Sequence, residues 1–459
     1  MSLIVRGGHV VGPGGLCRAD VLMEDGIVQA LSRRGTPSGR VVDASGCLVF
    51  PGLIDTHVHM GFEAGGVLST DDFASGSRAA AFGGVTTLID YALPTRGEAL
   101  AAALHSRRAA AEGRCHVDYG LHVILPPYRY NQPVEIAQCL ETGATSFKLF
   151  TIYPDLRLGA GEMFEAMSWI VRAGGLALVH AEDAEFVESR TRVLVEQGAT
   201  GADGHLASRP AVAEAMAVAR VLHLQAETGC PVHFVHISSG TAAQLIGEAK
   251  ARGADVSWET CPHYLVLDAE VYRRADGHRY LVSPPIKTRE DRAALWAALQ
   301  GGELDTVATD HCPFTAAQKD AGRDDFTRVP TGLPGVETTL PLLYTEWQDR
   351  GLDLGRLAVV TSQTPAQRFG LYPRKGIVAP GSDADLVVYD PGTRGVIRAE
   401  ALHMNVDWSP YEGRSYRGSV RAVVSRGRVL IEDGTWCGEE PGGTYLPRGS
   451  AVRAVAQGG

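Results

Sequence analysis

The sequence predicts an α/β protein: a (β/α)8 TIM-like barrel carrying a small β-sandwich domain formed from both chain ends. Three observations lead there. Between residues 51 and 370, eight apolar strand candidates alternate with helical stretches, the rhythm of a closed parallel barrel. The flanking segments, 1–50 and 371–459, both read as short strands with turn punctuation. Ionisable residues recur at the C-terminal ends of the central strands, where a barrel of this kind builds its active site. An open doubly wound sheet is the alternative, but no G-x-G-x-x-G opens a helix, so dinucleotide binding has no support.

Taken in order, Leu3-Ile4-Val5, Asp20-Val21-Leu22-Met23, Ile27-Val28 and Arg40-Val41-Val42-Asp43 are the first strand candidates, with Asp25-Gly26 as a turn. Central strands are expected at 48–59, 86–91, 116–125, 146–150, 177–180, 232–236, 255–259 and 306–310. Helical stretches between them include 71–81, 97–112, 210–228 and 241–252. Strand texture returns in Asp385-Leu386-Val387-Val388-Tyr389 and Val420-Arg421-Ala422-Val423-Val424, and 427–434 reads as a hairpin arm with its turn.

Composition narrows the function classes. The chain has 459 residues, 45% of them hydrophobic, enough for a large core and a subdomain. The net charge of −10 and the lack of a long basic run argue against nucleic-acid binding. No apolar run approaches the roughly 18 residues a membrane span needs, and the N-terminal segment lacks a signal-peptide core. Eight scattered cysteines without a C-x-x-C read as reduced thiols in a cytoplasmic compartment.

The chemistry concentrates at the strand ends. The first central strand runs into His57 and His59, whose i, i+2 spacing on a strand puts both imidazoles on one face. The fourth contains Lys148, the fifth ends at His180, the sixth at His236 and the eighth at Asp310. Alone, each has an ordinary reading: a core histidine, a helix cap, a lysine reaching for solvent. Four His, one Lys and one Asp on one face of a barrel point instead to a site for divalent metal. A protonated Lys148 would be repelled there. Either it points elsewhere or its amine is converted to an anionic carbamate able to bridge two metals.

These residues occur with further motifs: Asp71-Asp72-Phe73, Gly83-Gly84-Val85-Thr86-Thr87, Thr260-Cys261-Pro262-His263-Tyr264, Ser283-Pro284-Pro285, Thr309-Asp310-His311-Cys312-Pro313-Phe314, Gly322-Arg323-Asp324-Asp325-Phe326-Thr327, Pro334-Gly335-Val336-Glu337, Leu371-Tyr372-Pro373-Arg374-Lys375-Gly376 and Gly381-Ser382-Asp383-Ala384-Asp385-Leu386. Together they resemble the amidohydrolase superfamily and, within it, the dihydropyrimidinase and D-hydantoinase family of cyclic amidohydrolases, over nearly the whole chain. The resemblance implies a hydrolase that opens dihydropyrimidine or 5-substituted hydantoin rings to N-carbamoyl amino acids. It implies that His57, His59 and Asp310 hold the more buried of two divalent metals, usually zinc, with manganese or cobalt as alternatives. His180 and His236 would hold the other, with Lys148, as N6-carboxylysine, bridging both. The metals would share and activate one water. Tyr153 would donate to the developing oxyanion, and Asp310 would carry a proton from the attacking water to the leaving ring nitrogen. Ser283 and Thr331 fall where members of the family hold the amide edge of the ring; the family usually has Asn where this chain has Thr331. A homotetramer is expected by the same resemblance. Phe62, Leu68, Phe150 and Tyr153 are candidates for the wall around the exocyclic group.

Other functions weigh less. Dihydroorotase shares the HxH barrel but places an Arg where this chain has Gly61, which favours a neutral ring. Allantoinase is the alternative enzyme, although the 322–327 and 334–337 runs look more like hydantoinase. A non-catalytic scaffold protein of the same family would have lost metal ligands, whereas all six positions are filled here.

Overall fold

The structure, a computed structural model, describes residues 2–32, 39–64, 66–127 and 132–449; the end of the second predicted sandwich segment, 450–459, lies outside them. Eight strands pair in parallel in chain order: β1 (Leu53–Asp55), β2 (Val85–Ala92), β3 (Asp118–Ile124), β4 (Ser146–Phe150), β5 (Leu176–His180), β6 (Val232–Phe234), β7 (Val256–Thr260) and β8 (Thr306–Val307). Every residue of β2, β3, β4, β5 and β7 is buried, as expected of a parallel sheet covered on both faces. Helices fill the crossovers, among them α1 (Phe73–Phe82), α2 (Leu100–Ala111), α3 (Gln132–Glu141), α4 (Ala160–Ala173), α5 (Ala184–Glu196), α6 (Ala202–Ser208), α7 (Ala211–Thr228) and α8 (Gly240–Ala251). Helix α1 illustrates their logic. Asp72 accepts hydrogen bonds from the Ala74 and Ser75 amides and so caps it. It ends at Gly83, where a Cβ would lie 2.5 Å from the Val336 carbonyl. That cap explains why the helix begins at Phe73 and not at the expected 71.

Between β1 and β8 no ladder forms among the described residues. The barrel is nearly closed there by other bonds: His59 N–H donates to His311 O (2.9 Å), and Thr309 donates to Asp55 from its amide (3.0 Å) and its hydroxyl (2.5 Å).

Two further sheets come from the chain ends. Ser2–Arg6, Asp20–Glu24, Ile27–Ser32 and Arg40–Asp43 form one. The other contains His9–Gly12, Gly15–Arg18 and Leu48–Pro51 beside Leu386–Val396, Ser415–Ser425, Arg428–Glu432 and Thr435–Trp436. Leu48–Pro51 runs antiparallel to Leu386–Val396, which stitches the two ends together. Val5, Val21, Met23, Val49, Leu386 and Val424 share the apolar core between the sheets.

Three expected strands are corrected. The run 48–59 is two strands serving two sheets, broken at Gly52. The Gly52 amide turns to Asp385 O (2.9 Å), and a Cβ there would sit 2.0 Å from Thr86 Oγ1. Strands expected at 232–236 and 306–310 stop early, at Phe234 and Val307. Their final residues leave the ladder, and His236 and Asp310 take positive φ, 42° and 51°.

A buried cation joins barrel and sandwich. Lys375 Nζ donates to Asp118 at the start of β3 (2.6 Å) and to Asp385 (2.6 Å), with Asp383 at 3.0 Å. Burial opposes its charge, but Asp385, Asp118 and Asp383 outweigh burial and raise its proton affinity. Near the same end of the barrel, the C-terminal segment sends Arg448 to Ser146 Oγ (2.8 Å), which in turn meets His122 (2.6 Å). Lys375→Met takes from buried Asp385 its cation and leaves Asp118 and Asp383 only the more exposed Arg426 and Arg374, so urea unfolding should show a loss of about 3–5 kcal/mol; an unchanged midpoint would mean that the cluster contributes nothing to stability.

Candidate metal centre

Five strands deliver the predicted ligands to one mouth of the barrel. His57 and His59 follow β1, Lys148 lies in β4, His180 ends β5, His236 follows β6 and Asp310 follows β8. Asp310 Oδ1 is 3.2 Å from His57 Nε2 and 3.1 Å from His59 Nε2. One donor atom each of His57, His236 and Asp310 lies within 4.8 Å of the others. The His180 and His236 rings are 4.5 Å apart, and those of His57 and His236 5.3 Å.

His57 and His236 are set up as neutral donors. His57 Nδ1 meets Glu259 Oε1 at 2.6 Å, so a proton there leaves the Nε2 lone pair facing the cavity. Burial, aided by the Lys148 charge, presses His57 down to about 4. His236 is pushed well below the ordinary range by burial and by His180. His57 Nε2 and His236 Nδ1 are buried without a hydrogen-bond partner. Buried polar atoms left open in a converging set fit a metal, because an ion supplies the missing partner. Burial works to raise the Asp310 carboxyl, but His57 and His59 outweigh it, so the acid stays ionised.

Lys148 is buried, with Nζ 5.1 Å from the Tyr91 ring and 5.3 Å from the Phe150 ring. Burial lowers its amine to about 8 against the pull of Asp310 and Glu259. Tyr153 is half-buried at φ 73°, edge-on to His180 at 5.3 Å between ring centroids. Burial pushes its phenol up to about 12. Ser283 is buried, with its hydroxyl beside the Tyr153 phenol. Thr331 is half-buried, and its neighbour Gly332 donates to Leu281 O (3.0 Å), which sets the 331 segment beside 281–283. Of the candidate wall residues, Phe62 packs on His59 (4.9 Å) and Phe150 on Tyr153 (5.8 Å), whereas Leu68 is 58% exposed.

Sequence reading passed over the residues that hold these ligands. Glu259, at the end of β7, also accepts from Thr56 Oγ1 (3.0 Å) and approaches His233 (3.5 Å). Glu182 Oε2 meets His180 Nε2 at 2.8 Å. Burial would raise the Glu182 carboxyl, but Arg209 and His180 hold it down at about 2. Tyr91 lies under the site, its ring stacked on His59 at 4.9 Å. An acid at the apolar end of a strand, as in Val256–Thr260, is the signal that could have found Glu259.

Fold and site together define a metal-dependent hydrolase on a (β/α)8 barrel. The amidohydrolase family pattern matches residues 48–430, and this chain belongs to that family. Its members generally work with a binuclear metal centre. The chain is 40% identical to a D-hydantoinase of Streptomyces coelicolor over 97% of each chain. It is 36% identical to a D-hydantoinase of Geobacillus stearothermophilus, over 98% of this chain and 97% of that one. Among solved structures, a dihydropyrimidinase from Brevibacillus agri superposes with a TM-score of 0.96 at 35% identity, covering 98% of this chain and 99% of that one.

Glu259→Gln removes the charge behind His57 while keeping its shape. Competition with a chelator should show metal affinity weakened by about 10–100-fold; unchanged affinity would mean that Glu259 does not orient the ligand.

Proposed function

We propose that the protein opens the cyclic amide of dihydropyrimidines or 5-substituted hydantoins by hydrolysis, giving N-carbamoyl amino acids. The observation that carries this reading is the convergence of His57, His59, Lys148, His180, His236 and Asp310 at one barrel mouth, in a chain that matches D-hydantoinases along nearly its whole length. His57, His59 and Asp310 would hold one metal and His180 and His236 the other, with Lys148 between them. Two divalent ions, zinc by preference for such nitrogen and oxygen ligands, would activate water and polarise the ring carbonyl.

The chain's own groups do the rest. Lys148, lowered to about 8 by burial, has a neutral fraction at neutral pH. Only that form forms an N–C bond with carbon dioxide, losing a proton and leaving an anionic carbamate. Asp310 takes the proton of the attacking water and returns it to the ring nitrogen as the C–N bond breaks. Tyr153, its phenol still protonated, donates to the oxyanion. Ser283 Oγ, beside the Tyr153 phenol, and the main chain at Thr331 receive the amide edge of the ring. A contact through the main chain at 331 tolerates Thr in place of the usual Asn. The buried cysteines Cys47, Cys115, Cys139, Cys230, Cys261 and Cys312 are free thiols, in keeping with a reducing, cytoplasmic setting; a homotetramer completes the proposal.

Dihydrouracil, 5-substituted hydantoins, allantoin and dihydroorotate, assayed side by side with bound metal quantified, test the reading. Turnover of the first two is expected; turnover confined to allantoin or dihydroorotate would overturn the substrate assignment. Tyr153→Phe should lower kcat by about 10²–10³-fold with a smaller change in KM. Native mass analysis should find the chain heavier by one carbon dioxide, and Lys148→Ala should regain activity with a short carboxylic acid. Full metal loading on an unmodified lysine would dismiss the carbamate.

A further inference from the structure

We infer that Arg209 is a positioning residue that fixes the His180 imidazole and the Tyr153 ring as one unit, through Glu182 on one side and by direct contact on the other. The inference rests, for its catalytic half, on the proposed role of Tyr153.

Arg209 sits between two helices: α6 ends at Ser208, and Pro210 caps α7. Its main chain is held at both ends. Its amide donates to Leu206 O (3.1 Å), and its carbonyl accepts from the buried Lys287 Nζ (2.8 Å). The side chain is 14% exposed. Its Nη1 donates to Glu182 Oε2 at 2.6 Å, and the same oxygen meets His180 Nε2 at 2.8 Å. That pairing occupies Nε2 and leaves Nδ1 as the His180 nitrogen free for an ion. The guanidinium carbon is 6.0 Å from the centroid of the Tyr153 ring, which is itself 5.3 Å from His180. Tyr153 stands outside any strand at positive φ, so side-chain contacts, not a ladder, orient its ring. Lys287 cannot replace the guanidinium at Glu182 without releasing the Arg209 carbonyl. A planar fork can pair with a carboxylate and lie against an aromatic ring at once; an ammonium cannot.

Arg209→Gln, Arg209→Lys, Tyr153→Phe and the double variant Tyr153→Phe/Arg209→Gln test this. Each is scored for metal retained per chain after dialysis against a fixed chelator concentration, and for kcat and KM. With Arg209→Gln, one of the two metals should be held about 10–100-fold more weakly, and kcat should fall at least about 10-fold while KM changes less. Tyr153→Phe should keep both metals, and adding it to Arg209→Gln should cost far less than it costs alone, because coupled residues are not additive. Arg209→Lys, which keeps a cation beside Glu182, should regain the metal but not kcat; it also serves if Arg209→Gln fails to fold. Both metals held at wild-type affinity in Arg209→Gln, or strictly additive losses in the double variant, would overturn the inference. Unimpaired turnover by Tyr153→Phe would instead overturn the donor role of Tyr153, and the coupling with it, even if Arg209→Gln still lost metal.

Discussion

Asp55 fastens the two ends of the barrel to each other, and the site depends on that bond. Its carboxylate accepts the amide and hydroxyl of Thr309 from the far side of the seam, and the amide of His57, just past its own strand, at 3.3 Å. Among the described residues the seam has no ladder of its own to fix register. His57 and His59 leave one strand, Asp310 leaves the other, and 3.1–3.2 Å separates their reacting atoms. A slip of one residue at the seam would turn these side chains to opposite faces. His311 extends the same lock outward: its main chain bonds His59, and its ring bonds Asp71 (3.0 Å) just before helix α1.

Behind the ligands, acids are spent on imidazoles rather than on ions. Glu259 backs His57 and Glu182 backs His180. Glu214 does similar work for the loop after His236, accepting from the Ser238 and Ser239 amides at 3.0 and 2.8 Å. Each is fully enclosed, and an unpaired carboxylate at such a place would be strongly unfavourable. The compensation is local and specific: histidine and Thr56 for Glu259, histidine and Arg209 for Glu182, amides for Glu214. Such partners fix tautomer and ring direction, which a first layer of ligands cannot do alone.

The barrel and its ligand positions were legible because two signals coincide in the chain. Apolar runs of strand length recur at regular intervals, and the residues that end them are His, Lys or Asp. Local pattern suffices for that. It does not suffice for Gly52, where a continuous apolar run divides between two sheets because Asp385 and Thr86, far away in sequence, decide where the backbone turns. Nor does it reveal Glu182, Arg209 or Asp55. In the chain these read as ordinary polar residues near strand or helix ends; their partners are 2 to 254 residues away, and only the closed barrel brings them together. Nor does local pattern place Leu68, which pairs with Glu63 in a short two-stranded ladder and is exposed.

Three of the six described non-glycine residues with positive φ are Tyr153, His236 and Asp310. The other three, Asp25, Arg426 and Asp433, lie in turns, where such geometry is common. A left-handed backbone costs an ordinary residue about 1–2 kcal/mol, and tyrosine and histidine have no short side-chain oxygen to offset it. Local preference would therefore not keep these residues there. What keeps them is the surrounding structure: Tyr153 O accepts from Leu156 and Arg157, Asp310 lies between the Asp55–Thr309 and His59–His311 bonds, and Ile237 N donates to Glu259 O directly after His236. The strain falls where strands must end abruptly so that a side chain can turn across the barrel mouth instead of alternating along the sheet. A barrel buried on both faces can impose that geometry because releasing it would mean unpacking the core.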